Sequence, residues 1–191
     1  NPFFEASNEL FFSYNTNDIR REVYFMDDIT GGSIINNVDS PDNVILIGKY
    51  RGSADGDKVN DVKIFRGAEM LLIRAEAQAR AGNRAAAAVD IRRLRQARNV
   101  NTPLPSYATL QDALEDIALE RRLEFAFEGF RYLDLKRLGS EIGEGVDRLE
   151  VDCASFAAQQ CSLLPGDYRF TLPIPRSEVN ANPSIAQNPG Y

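Results

Sequence analysis

A chain of 191 residues with a net charge of −6 is long enough for one domain with a substantial core, and its acidic balance argues against a nucleic-acid partner. Its 43% hydrophobic and 26% charged residues are ordinary for a globular protein, and no apolar run reaches the length of a membrane span. Histidine is absent, which excludes a His-based triad, a His general base and the usual zinc enzymes. No cofactor and no metal site is expected. The chain opens Asn1-Pro2-Phe3 with no Met and no signal-like segment, so we expect a processed or excised piece whose targeting signal lies upstream.

Residues 1–60 are rich in turn formers, among them Gly31-Gly32, Asn36-Asn37, Ser40-Pro41-Asp42-Asn43 and Asp55-Gly56. Between them, Glu9 to Tyr14, Glu22 to Met26 and Val44 to Ile47 read as short strands. A helix is predicted over Val62 to Ala81, where Ile64, Ala68, Leu71, Leu72, Ala75 and Ala79 recur at helical spacing. Gly82-Asn83 stops it, and a second helix is predicted from Arg84 to Arg98 with Ala87, Ile91, Leu94 and Ala97 inward. Two alanine-rich helices joined by so short a turn make a tight antiparallel hairpin resembling one tetratricopeptide unit. A single hairpin does not make a solenoid, so its open flank calls for a further partner.

Pro103 and Pro105 break the pattern, and Thr109 with Asp112 forms a capping box for a third helix. That helix is expected to run towards Gly129 and to resume or continue to Leu138, with Gly139 as its stop. Glu120, Glu124 and Glu128 stack on it at i, i+4, a repulsive arrangement unless cations answer it, and Arg121, Arg122 and Arg131 lie near enough in sequence to do so. Leu119, Leu123, Phe127 and Phe130 form one apolar stripe, and Leu114, Ile117, Ala118 and Phe125 a second. Two stripes with charges between them describe a helix buried on several sides, its charges paired. Ser140 to Asp167 reads as irregular, Tyr168 to Ile174 as a short strand, and Ser177 to Asn180 as one helical turn. Cys153 and Cys161 close a loop that fits either a disulfide or two free thiols.

Each chemical constellation has a structural alternative. Helix-borne acids one turn apart and flanked by arginines favour a structural ion network over the two carboxylates of a glycoside hydrolase. Asp55, Asp57 and Asp61 lack the spacing and closing Glu of a calcium loop. Arg92, Arg93, Arg95 and Arg98 spread around their helix as a solvated or ion-paired face. The aromatics Phe3, Phe4, Phe11, Phe12, Tyr14, Tyr24 and Phe25 either fill the core beneath the helices, the reading we favour, or stack on a ligand. Tyr14 and Tyr24, whose hydroxyls prefer a polar end, are the candidate ligand-binding residues.

Three motifs in order carry a family resemblance. Arg66-Gly67-Ala68-Glu69-Met70-Leu71-Leu72-Ile73-Arg74-Ala75-Glu76-Ala77 resembles the signature helix of the SusD/RagB-type outer-membrane nutrient-binding lipoproteins. Glu120-Arg121-Arg122-Leu123-Glu124, then Phe127-Glu128-Gly129-Phe130-Arg131 and Leu133-Asp134-Leu135-Lys136-Arg137, resembles their second signature. Leu172-Pro173-Ile174-Pro175 through Gln187-Asn188-Pro189-Gly190-Tyr191 resembles their C-terminus. The sequence departs at Phe130-Arg131-Tyr132, where His and Trp are common in relatives. The resemblance transfers Arg66, Glu69, Glu76, Glu120, Arg121, Glu124, Glu128, Arg131 and Asp134 as signature residues, all on helices read as scaffold, and places no ligand-binding residue.

The sequence therefore predicts a mainly α domain spanning residues 1–191. A loop-rich segment (1–60) leads into a helical core (61–139) built on the tetratricopeptide-like hairpin, and an irregular segment (140–191) packs on the helices with a few short strands. By resemblance, this is the C-terminal portion of a lipid-anchored protein on the extracellular face of the outer membrane. It would bind glycan or peptide nutrients without chemistry and deliver them to a SusC-like TonB-dependent transporter. The competing readings are a tetratricopeptide-type protein-interaction scaffold and a two-carboxylate glycoside hydrolase.

Overall fold

The structure, a computed structural model, describes residues 6–26, 45–50, 60–149, 152–153 and 161–191. The turn-rich stretch over 31–43, Asp55 and Asp57 lie outside the described residues. Among the described residues the architecture is mainly helical, in the order α1 (Asn8–Phe12), α2 (Ile19–Tyr24), β1 (Phe25–Met26), β2 (Leu46–Ile47), α3 (Gly67–Arg80), α4 (Arg84–Gln96), α5 (Leu110–Glu124), α6 (Phe130–Ile142), β3 (Val146–Asp147), β4 (Ser162–Leu163) and α7 (Arg176–Ala181).

The α3–α4 hairpin turns at Gly82, which takes φ +84° and therefore needs no Cβ. Asn83 caps α4 by accepting from the Ala86 amide. Ala75, Ala79 and Ala87 are buried between the helices beside Leu72, Ile91 and Leu94, so the backbones approach closely. Helix α5 lies across the same core with Ala113, Ile117 and Phe125. Its start is the capping box: Thr109 Oγ1 accepts from the Asp112 amide at 3.0 Å and the Asp112 carboxylate accepts from the Thr109 amide at 2.8 Å. Helix α6 doubles back along the other side of α5, burying Leu138 and Ile142 against Leu114 and Ala118. A third cluster packs α1, β1 and β2 onto the end of α5 through Phe11, Tyr14, Tyr24, Phe25, Ile45 and Leu123.

Several sequence expectations are corrected. Within the stretches read as strands, Glu9 to Phe12 and Glu22 to Tyr24 are helical and only Phe25–Met26 is extended, because Ser7 and Asp18 each accept a hydrogen bond from the first-turn backbone and nucleate α1 and α2. The long helix begins at Gly67 rather than Val62, and Ile64 is 71% exposed on an extended approach. Helix α5 ends at Glu124, with Phe127 (φ +67°) and Gly129 (φ +82°) forming an elbow before α6. Gly139 lies inside α6, where Glu144 O would collide with a Cβ, and the stop is Gly143 at φ +70°. Of the two apolar stripes, the second is buried throughout; in the first, Leu119 and Phe127 remain exposed. Tyr168–Phe170 is a 3-10 turn rather than a strand.

Cys153 and Cys161 are joined as a disulfide. The neighbouring Asp152 carboxylate accepts from the Asn8 backbone at 3.0 Å and from its side-chain amide at 2.8 Å, tying this segment to α1. With a sequence separation of eight residues, loop closure implies that reduction costs roughly 2–3 kcal/mol. The expected result is an equal loss of unfolding free energy in urea when reductant is added. An unchanged midpoint would mean the bridge contributes nothing.

Candidate functional site

The elbow after α5 gathers most of the buried charge in the described structure. Glu120, Glu124 and Glu128 project from one face of α5 and its extension, and five cations converge on them from four separate stretches of chain. Arg20 of α2 donates through Nη1 to Glu120 Oε1 at 2.8 Å and to Glu124 Oε2 at 3.1 Å, while its Nε and Nη2 grip the Asp18 carboxylate. From α4, Arg95 reaches Glu120 Oε2 at 2.8 Å, and just past its end Arg98 forks onto Glu124 at 2.9 and 2.6 Å. Arg66, immediately before α3, bridges Glu124 Oε1 at 2.8 Å and Glu128 Oε1 at 2.8 Å. Lys49 closes on Glu128 Oε1 at 2.5 Å.

The same groups finish the helix. The last carbonyls of α5 lack intrahelical donors, and Lys49 Nζ donates to Glu124 O at 2.8 Å and Ala126 O at 3.0 Å, with Arg66 Nη2 on Glu124 O at 3.0 Å. Tyr14 and Tyr24 complete the set, their hydroxyls donating to Leu123 O at 2.7 Å and Glu124 O at 3.2 Å. These two tyrosines were the sequence candidates for ligand contact. They are only 3% and 7% exposed, so no ligand ring can stack on them where they stand. Their polar ends are spent on a helix terminus, and burial raises both phenols.

Electrostatics make this cluster unsuited to acid–base work. Burial alone would raise Glu124, but the hydrogen bonds from Arg98 and Arg66 and the charge of Arg20 outweigh it and hold the carboxyl at about 2. A glycosidase acid needs the opposite shift. Lys49 is drawn down by burial to about 8, against the pull of Glu128. Because the folded value of Glu124 lies below its ordinary 4.5, its stabilisation is complete above pH 4.5 and is lost as pH falls through 2, roughly 3 kcal/mol in all. Urea midpoints from pH 5 to pH 2 should fall more steeply for the wild type than for Glu124→Gln; parallel curves would contradict the assignment.

The other signature residues fall in separate places. Arg121 Nε grips both oxygens of Asp134 at 2.9 Å, joining α5 to α6. Glu76 accepts from Arg137 at 2.7 Å and from Arg80 at 3.0 Å. Arg131 pairs with Glu144 at 2.5 Å, apart from the main cluster. Glu69 makes no ion pair among the described residues; it lies in the first turn of α3, where a negative charge suits the helix dipole. Arg121, Arg122 and Arg131 therefore do not answer the stacked glutamates, since Arg122 turns instead to Glu9. A residue one position along a helix points about 100° away, and the answering cations come from other elements. Arg20 and Lys49 carried no periodic signal; an uncompensated stack of acids was the one available hint.

Glu128→Ala should cost about 3 kcal/mol, because Lys49 then keeps a buried charge without its carboxylate and Arg66 loses one of its two acids. A thermal midpoint unchanged from wild type would count against it. A groove of about 500 Å³ runs between α3 and α4, lined by Ala68, Met70, Leu71 and Leu94 with Arg74, Arg93 and Arg98, the last of which it shares with the ion network. Among the described residues no group of His, Cys, Asp or Glu is arranged to hold a metal ion.

A helical scaffold whose buried acids are saturated by cations is the class that fold and site define. The sequence description of the SusD family matches residues 12–191, and the chain belongs to that family. It is 34% identical over 131 residues to the starch-binding protein SusD of Bacteroides thetaiotaomicron, covering 69% of this chain and 22% of that protein. It is 39% identical over 136 residues to SusD-like protein P2 of Formosa agariphila, covering 66% of this chain and 25% of that protein. Among solved structures, a SusD superfamily protein of B. thetaiotaomicron superposes with a TM-score of 0.68 at 28% identity, covering 94% of this chain and 39% of that one. Another from Bacteroides fragilis gives 0.72 at 23% identity, over 100% and 41%, and supports the fold alone. The chain thus spans a quarter or less of the curated relatives named here.

Proposed function

We propose that the protein containing this chain captures glycan nutrients at the outer-membrane surface, without chemistry, and hands them to a SusC-like TonB-dependent transporter. Family membership over residues 12–191 is the observation that carries the reading. The starch-binding relative favours carbohydrate over peptide as the ligand. The saturation of Glu120, Glu124 and Glu128 by arginine and lysine favours binding over hydrolysis. On this reading the protein is lipid-anchored on the extracellular face, with α3 to α6 as the frame that presents its recognition surface.

The test is the reading frame around this segment together with whole-cell labelling. A frame with an export signal and lipidation cysteine, beside a gene for a large β-barrel transporter, and a protein that added protease removes from intact cells, is the expected result. A protein shielded from protease in intact cells and released only on lysis would overturn it. The groove between α3 and α4 then favours the second reading, a scaffold for another protein's helix or tail.

A further inference from the structure

Away from the buried network, the C-terminal segment holds two tyrosines in the open. Tyr168 and Tyr191 are 47% and 48% exposed, and their rings meet edge to face with centroids 5.1 Å apart. The backbone around them is closely specified. Gly190 takes φ +94°, and a Cβ there would run into the Tyr168 ring. The Gln187 side chain brackets Ile174, accepting from its amide at 2.7 Å and donating to its carbonyl at 2.9 Å, while Asn188 donates to Leu172 O at 2.7 Å. Tyr168 opens the 3-10 turn, which Asp167 caps by accepting from the Arg169 amide at 2.9 Å. The same carboxylate accepts from Arg169 Nε at 2.8 Å and Nη2 at 2.7 Å, and the guanidinium carbon lies 5.8 Å from the Tyr168 ring centroid.

Two aromatic rings are therefore held at the surface, not left to fold inward, beside a charged pair with both donors and acceptors. That combination suits a sugar. The C–H face of a pyranose packs on an aromatic ring, and its peripheral hydroxyls seek groups of both kinds. Rings fixed beforehand lose little freedom on binding. A purely apolar partner would leave the Arg169–Asp167 pair unused.

We propose that Tyr168 and Tyr191 form a stacking platform for a pyranose unit of a glycan, with Asp167 and Arg169 addressing its hydroxyls. This rests on the carbohydrate-binding reading above and assigns it residues in this chain. The 191-residue chain is run in native gels cast with soluble starch, xylan, laminarin, pectin or mucin, and its retardation is compared with a polysaccharide-free gel. Wild type is expected to be held back in at least one gel. There, Tyr168→Ala and Tyr191→Ala should each weaken affinity about tenfold, whereas the Phe variants, which keep the ring, should stay within about twofold. Tyr191→Leu keeps apolar bulk against Tyr168 but removes the π face, so it separates lost stacking from lost packing, and it should behave like the alanine variant. Alanine and leucine variants held back as strongly as wild type would refute the platform and leave carbohydrate binding standing. A wild-type chain unretarded in every gel would also refute the platform, since the residues assigned to it all lie within this chain.

Discussion

Replacing Glu124 with alanine is expected to destabilise the chain by about 3–5 kcal/mol. The carboxylate is fully buried and is the meeting point of Arg20, Arg66 and Arg98. Removing it leaves three guanidinium groups competing for Glu120, Glu128 and Asp18, which already have partners. The Coulomb energy of the wild-type cluster is largely offset by desolvation, so the loss measures uncompensated charge, not the worth of the bridges. For a chain of this size the expected fall in thermal midpoint is about 10 °C. Glu124→Gln should cost less, since the amide oxygen still accepts from two arginines. Equal midpoints for wild type and Glu124→Ala would mean that the cluster is open to water.

Arg20→Met should rank next, at roughly 3 kcal/mol. Methionine keeps the aliphatic stem packed but strands the buried Asp18 and takes one cation each from Glu120 and Glu124. Arg20 is also the main charged tether between the N-terminal segment and α5, so its loss should loosen α1, α2 and β1 before the hairpin. Hydrogen exchange should accelerate in residues 8–26 while α3 and α4 stay protected. The two substitutions share partners, so the double variant Arg20→Met/Glu124→Ala should cost clearly less than the sum. Strict additivity would contradict a shared cluster.

Much of the helical core was legible because its signals are local and periodic. The Ala75, Ala79 and Ala87 spacing, the Gly82-Asn83 turn and the Thr109–Asp112 box each specify their element within a few residues. The short N-terminal helices were misread as strands because five or six residues carry too little periodicity to separate 2 from 3.6. Their start signals, Ser7 and Asp18, were present and decided the outcome. The stacked acids announced a buried network from sequence, but their partners did not. Arg20 lies 100 residues before Glu120 and Lys49 lies 75 residues before Glu124, and no pattern on α5 points to either. The surroundings of Tyr14 and Tyr24 were hidden for the same reason: the polar end that a tyrosine needs is supplied here by the α5 carbonyls, a tertiary contact. Nothing in the sequence pairs Tyr168 with Tyr191, because their contact depends on the backbone at Gly190.

The most direct single measurement is an assay for new reducing ends on whichever polysaccharide retards the protein, run alongside the binding gels for wild type, Glu124→Gln and Glu128→Gln. Retention without any release of reducing ends is the expected result, with both variants affected only through their stability. Steady release by wild type that disappears in a folded Glu124→Gln or Glu128→Gln variant would contradict it, and would turn the buried acids from scaffold into catalysts.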